Sequence, residues 1–167
     1  MVEIKLVILG IDPGLSITGY GCVELEGKDI NLVEGGVIRT HSREKLELRL
    51  ASIFNGLNRI VENVKPENIV VEELYSHYAH PLTAVKMGYV RGIVFLVAAN
   101  YSIPVWSYSA TRIKKSLTGN GKSSKEAVQK AIKLILNLKD LPYPPDVSDA
   151  LAIALCHANV VSRKNIL

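Results

Sequence analysis

Cysteine is scarce in this sequence: there are two in 167 residues, Cys22 and Cys156, each set inside an apolar pattern. That excludes a disulfide-stapled secreted scaffold and reads as two buried thiols in a reducing compartment. Histidine is also sparse, at four residues, and no histidine or cysteine falls at zinc-ligand spacing. No unbroken apolar stretch is longer than Ile93 to Ala99, which is far too short to span a bilayer. No charged leader, apolar h-region and cleavage site opens the chain. Internal repeats and low-complexity tracts are missing, which excludes solenoids and disordered linkers. These absences predict one domain over residues 1–167, in the cytoplasm and with no membrane partner.

What is present is an apolar share of 48%, ample for a packed core. A chain of this length buries roughly two thirds of the surface it exposes when unfolded. The net charge of +4 gives a mild bias toward a polyanionic partner.

Residues Ile4 to Ile11 are β-branched or leucine apart from Lys5 and Gly10, as in a central strand buried on both faces. Asp12 ends it, and Pro13-Gly14 turns the chain. Gly19 to Leu25 and Ile30 to Arg39 complete a three-stranded antiparallel meander around the turn Glu26-Gly27-Lys28-Asp29. Leu46, Leu50, Ile53, Phe54, Leu57, Ile60, Val61 and Val64 then recur at helical steps, up to Lys65-Pro66. Asn68 to Glu72 is a short buried strand. Pro81 opens a helix to about Asn100 whose second half is apolar nearly all round, so its own domain or a partner must enclose it. Pro104 to Tyr108 is a fifth strand, with Trp106 read as core, and Ser109 starts a short helix. The capping box Ser123-Ser124-Lys125-Glu126 opens a helix to Asn137. The last helix runs from Asp146 to Arg163. A meander followed by helix–strand alternation predicts an α/β fold: a mixed five-stranded sheet with helices on both faces. Ligands in such sheets sit at strand ends near a change in topology.

Four carboxylates occupy such ends. Asp12 closes the first strand and Glu72 the fourth; Asp146 and Asp149 lie on one face at the start of the last helix. Read singly, three of them have an ordinary explanation: Asp12 caps a turn, Asp146 caps a helix, and Asp149 complements the helix dipole. Glu73 points away from Glu72, as a solvated or basic-paired charge, though periodicity does not say which of the two faces inward. If strands one and four are neighbours, the four acids cluster, and clustered carboxylates ionise together only around a cation. An all-oxygen set selects Mg²⁺ or Mn²⁺.

Arg112, Lys114, Lys115, Lys122 and Lys125 surround the loop Gly119-Asn120-Gly121 and suit phosphate contact; the plainer reading is a solvated helix face. Tyr75, in a loop after Glu72, is either a base-stacking aromatic or a core residue. His77 and His80 read as surface loop residues and His157 as a buried, hydrogen-bonded one.

Gly10-Ile11-Asp12-Pro13-Gly14, Thr18-Gly19-Tyr20-Gly21, Val71-Glu72-Glu73, Leu117 to Lys122 and Asp146 to Ala152, in that order and at those separations, resemble the RuvC family of Holliday-junction resolvases. The resemblance implies an RNase H-like fold, a homodimer, and Mg²⁺-dependent paired nicking of a four-way DNA junction, in concert with a branch-migration motor complex. It places the acidic ligands of two metal ions on Asp12, Glu72, Asp146 and Asp149, where some members carry a histidine in place of Asp146. It matches Lys114 and Lys125 to basic residues that support cleavage, and Tyr75 to a junction-stacking aromatic. Two metals about 4 Å apart would clamp the phosphodiester and leave 5′-phosphate and 3′-hydroxyl ends.

Three rivals share parts of the pattern. An RNase H-like nuclease acting on RNA–DNA hybrid would use the same acids but need 2′-hydroxyl contacts. An actin-like ATPase fragment would explain strand-Asp-x-Gly followed by Thr-Gly, but the chain leaves no room for a second lobe. A non-catalytic junction-binding module would not need the full acid set.

Overall fold

The structure is a computed structural model and describes residues 5–74 and 81–164. The chain begins with the meander β1 (Lys5–Asp12), β2 (Ile17–Glu26) and β3 (Asp29–Arg39), followed by helix α1 (Leu46–Val64). Next come β4 (Asn68–Glu72), α2 (Pro81–Asn100), β5 (Val105–Tyr108), α3 (Ala110–Thr118), α4 (Lys125–Ile135) and α5 (Pro145–Lys164). The five strands form one sheet in the order β3-β2-β1-β4-β5. β1 pairs antiparallel with β2 and parallel with β4, so the direction of pairing changes at the strand that carries Asp12.

Both faces of the sheet are covered, which is why β1 lacks polar alternation. Ile8 and Val23 face the layer of α3, α4 and α5, while Leu9, Ile11 and Cys22 face α1 and α2. Ile8, Leu9 and Ile11 are buried completely or nearly so, worth about 1.5–3 kcal/mol each. Cys22 and Cys156 are free, buried thiols, as expected.

Two details differ from the sequence reading. Trp106 is not core: it is 43% exposed, because β5 is an edge strand and, among the described residues, no strand pairs with its outer side. Its indole Nε1 donates to Asn68 Oδ1 at 2.6 Å. The cap of α4 is Ser124, which accepts from the Ala127 amide, while Ser123 turns back to donate to the Asn120 carbonyl.

α2 is enclosed on one side only. Val90, Val94 and Val97 pack inward, while Leu82, Val85, Tyr89, Phe95 and Leu96 are exposed. A Cβ added at Gly88 or Gly92 would meet nothing within 4 Å. At 20 residues and a mean hydropathy of 1.5 this helix is long and apolar enough to cross a membrane by length and composition, although no unbroken apolar run in it is that long.

Candidate active site

Ile11 pairs with Val71 across the parallel β1–β4 ladder, so Asp12 and Glu72 end neighbouring strands side by side. Register thus settles what periodicity left open: Glu72 lines the acidic cavity with Asp12, and Glu73 is exposed.

α5 brings the other two acids. It crosses β1 and β2 with its backbone almost on theirs. A Cβ at Gly10 would collide with the Ala150 carbonyl, and one at Gly19 with the carbonyl of Asp146. Only glycine permits that approach. The buried run Ala150 to Cys156 then holds the helix down.

Asp12, Glu72, Asp149, Lys114 and Lys125 line a cavity of about 210 Å³ closed at the back by Ile113 and Ile153. Asp146 is not in its wall, but its charge is felt at Asp12. A larger cavity of about 570 Å³ lies elsewhere, beside the β2–β3 turn and the end of α4, with Glu26 and Asp29 in its lining. Size therefore does not locate the site; the accumulation of charge on buried groups does.

Burial, then the negative charges of Asp149, Glu72 and Asp146, pushes the Asp12 carboxyl up to about 7, with Lys125 opposing. Glu72 is raised by burial and by Asp149, against Lys114. Lys125 Nζ sits 3.0 Å from Asp149 Oδ2. That hydrogen bond and the charges of Asp149, Asp12 and Asp146 raise the lysine in turn. The cluster thus holds more negative charge than its one ion-paired lysine neutralises. Its donors are all carboxylate oxygens, which fits a hard divalent cation. Among the described residues no three of the acids converge on a single point.

The basic residues separate into two sets. Lys114 and Lys125 join the acids, while Arg112 and Lys115 lie on the other flank of α3, in a different cavity. Lys122 is exposed in the loop between α3 and α4, its amide donating to Asn120 Oδ1. Tyr75, His77 and His80 lie outside the described residues. His157 is buried as expected, with Nδ1 2.7 Å from the Tyr108 hydroxyl.

Sequence reasoning missed Arg91. Its guanidinium reaches from α2 to donate to the Glu72 carbonyl and, at 3.4 Å, to Ser107 Oγ, tying the ends of β4 and β5 together. Burial lowers its pKa, and the charge of Glu73 opposes the shift. A single arginine inside the apolar second half of the helix was the available signal.

Comparison with known proteins gives a consistent result. The family described as Crossover junction endodeoxyribonuclease RuvC matches residues 8–157. The crossover junction endodeoxyribonuclease RuvC of Pseudothermotoga lettingae is 43% identical over 155 residues, covering 93% of this chain and 95% of that protein. Its counterpart in Rhodopirellula baltica is 45% identical over 149 residues, covering 89% of this chain and 84% of that protein. Among solved structures, Thermus thermophilus RuvC in complex with a Holliday junction substrate matches with a TM-score of 0.90 at 33% identity, covering 95% of this chain and 96% of that one.

Proposed function

This chain belongs to the RuvC family of crossover junction endodeoxyribonucleases, with its RNase H-like fold, and on that premise we propose that it resolves four-way Holliday junctions by hydrolytic nicking of two opposed strands. The observation that carries the reading is Asp12, raised to about 7 between Glu72, Asp146 and Asp149 at the point where strand pairing reverses.

Asp12, Glu72, Asp146 and Asp149 would hold divalent cations, two Mg²⁺ per site with Mn²⁺ able to replace them. When bound, such ions supply an activated water and stabilise the leaving 3′-oxygen. The four acids fix where that chemistry occurs. Lys114 and Lys125, in the same cavity, offset the acids' charge and offer ammonium groups to the non-bridging phosphate oxygens. Arg91 keeps Glu72 in register through its carbonyl, without touching the reacting atoms. The products carry 5′-phosphate and 3′-hydroxyl ends.

Arg112, Lys115 and Lys122 contact DNA phosphates, and Tyr75 stacks on an unpaired base at the branch. The protein works as a homodimer through the uncovered apolar face of α2, a two-fold arrangement that suits two opposed scissile bonds. It acts in the cytoplasm on junctions moved by a branch-migration motor complex.

The test is cleavage of a synthetic four-way junction with each divalent metal in turn, mapping both nicks. Paired symmetric nicks with Mg²⁺ are expected, and none on linear duplex. Equal or faster cutting of an RNA–DNA hybrid would overturn the junction reading.

A further inference from the structure

On the flank of α3 away from the acids, Arg112, Lys115 and Arg163 line a cavity of about 440 Å³ together with Ser116, Gly119 and Asn159. The lining contains three cations and no carboxylate. Among the described residues the ion pairs are Lys5–Glu24 and Lys125–Asp149, so none of these three cations is neutralised. The pocket is also held in shape. The Arg112 guanidinium lies over the Tyr108 ring at 4.8 Å, and Tyr108 is itself held by His157. Asn159 Nδ2, from α5, donates to the carbonyl and the hydroxyl of Ser116 at 3.2 Å each, pinning α3 to α5 behind the cations. A concave, uncompensated site of this kind suits phosphate groups.

Its position suggests which phosphates. The helical period sends Lys114 into the acidic cavity and Arg112 and Lys115 to the opposite side of α3. Arg163 lies fourteen residues beyond Asp149 on α5, about 21 Å along the helix axis. Duplex DNA covers that distance in roughly six base pairs at 3.4 Å per step.

We propose that Arg112, Lys115 and Arg163 form a second phosphate clamp, which grips the backbone of a duplex arm roughly six base pairs from the scissile bond. The clamp rests on the reading of the acids as a junction-nicking site, because that reading supplies the arm. Arg163 is the member that no pattern near the glycine loop reveals.

The test measures affinity for a synthetic four-way junction in EDTA across a salt series, so that binding is read apart from cleavage. Lys115 and Arg163 are exposed, and the double variant Lys115→Gln/Arg163→Gln should fold normally. Its slope of log affinity against log salt should be shallower than that of the natural protein by about 2, one per lost phosphate contact. Arg163→Lys, which keeps the charge, should restore about half of that difference when Lys115 remains Gln. Position is tested with uncharged methylphosphonate linkages walked along each arm. A patch about five to seven nucleotides from the scissile bond should weaken the natural protein about tenfold and the double variant, which keeps Arg112, much less. A patch about fourteen nucleotides away should affect neither. An unchanged salt slope would overturn the clamp and point to a protein partner for the pocket. Equal sensitivity of both proteins to every patch would overturn it in favour of diffuse attraction. Failure of the nuclease reading shows separately, as absence of nicks by the natural protein in Mg²⁺.

Discussion

Asp12→Asn should make the metal-free protein more stable while removing its activity. The carboxyl of Asp12 is raised from 3.8 to about 7, first by burial and then by the charges of Asp149, Glu72 and Asp146. Its folded value lies above its unfolded one, so between about pH 4 and pH 7 the native state binds the extra proton. Stability conferred by the protonated group is therefore lost as pH rises through that window, and the full cost is present above it. A rise of that size corresponds to about 4 kcal/mol as an upper bound. Asp12 is partly exposed and Lys125 offsets some of the field, so about 1–3 kcal/mol is the expectation. The amide keeps the shape and removes the charge. Urea unfolding in EDTA should show the variant more stable by that amount at pH 8 and nearly equal to the natural protein near pH 4. In Mg²⁺ the same variant should lose about 10³-fold or more in nicking rate, since several kcal/mol of transition-state stabilisation depend on the ligand. Junction binding in EDTA should be equal or slightly tighter, because one repulsive charge is gone. A variant less stable than the natural protein at pH 8, or a gap that does not change with pH, would refute the electrostatic argument. Full nicking activity would refute the assignment of Asp12 as a metal ligand.

Gly10→Ala should cost about 3 kcal/mol or more in thermal or urea unfolding, since the new methyl meets the Ala150 backbone rather than a side chain that can turn aside. Leu96→Glu, placed on the exposed side of α2, should leave the monomer folded and shift sedimentation at micromolar concentration from dimer to monomer. Tyr75→Ala should slow junction cleavage by the equivalent of roughly 1–3 kcal/mol with little change in melting temperature; unfolding with unchanged specific activity would mean that the side chain is core.

The order and type of the elements were legible because each carries its own period. β1 shows a continuous apolar run, and α1 repeats at three- and four-residue steps up to Lys65-Pro66. The acids were legible because each stands at the edge of an apolar run: Asp12 and Glu72 where one stops, Asp146 and Asp149 just ahead of one. What depended on neighbours in space was not. Trp106 is as apolar in an edge strand as in a central one, and only strand order tells them apart. Glu72 and Glu73 are interchangeable until the β4 register with β1 fixes which one lies beside Asp12. The basic stretch around Gly119 reads as one patch along the chain, yet α3 distributes it over two cavities, and Arg163 completes the second from across the fold. Gly10 looked like a lone interruption in a strand; its reason is α5, which is distant in sequence.

The contact of α5 with Gly10 and Gly19 gives the site an unusual tolerance problem. Most interfaces between a helix and a sheet have a cushion of side chains whose rotamers absorb small errors in spacing. Here backbone bears on backbone, and no such slack exists. The distance from Asp149 to the strand ends is consequently set by peptide geometry, which drift among the surrounding core side chains does not alter. The same stiffness means that the site does not degrade gradually. When α5 lifts, Asp146 and Asp149 leave Asp12 and Glu72 together, so the amide hydrogens of residues 150–154 should exchange in step with loss of the assembled site.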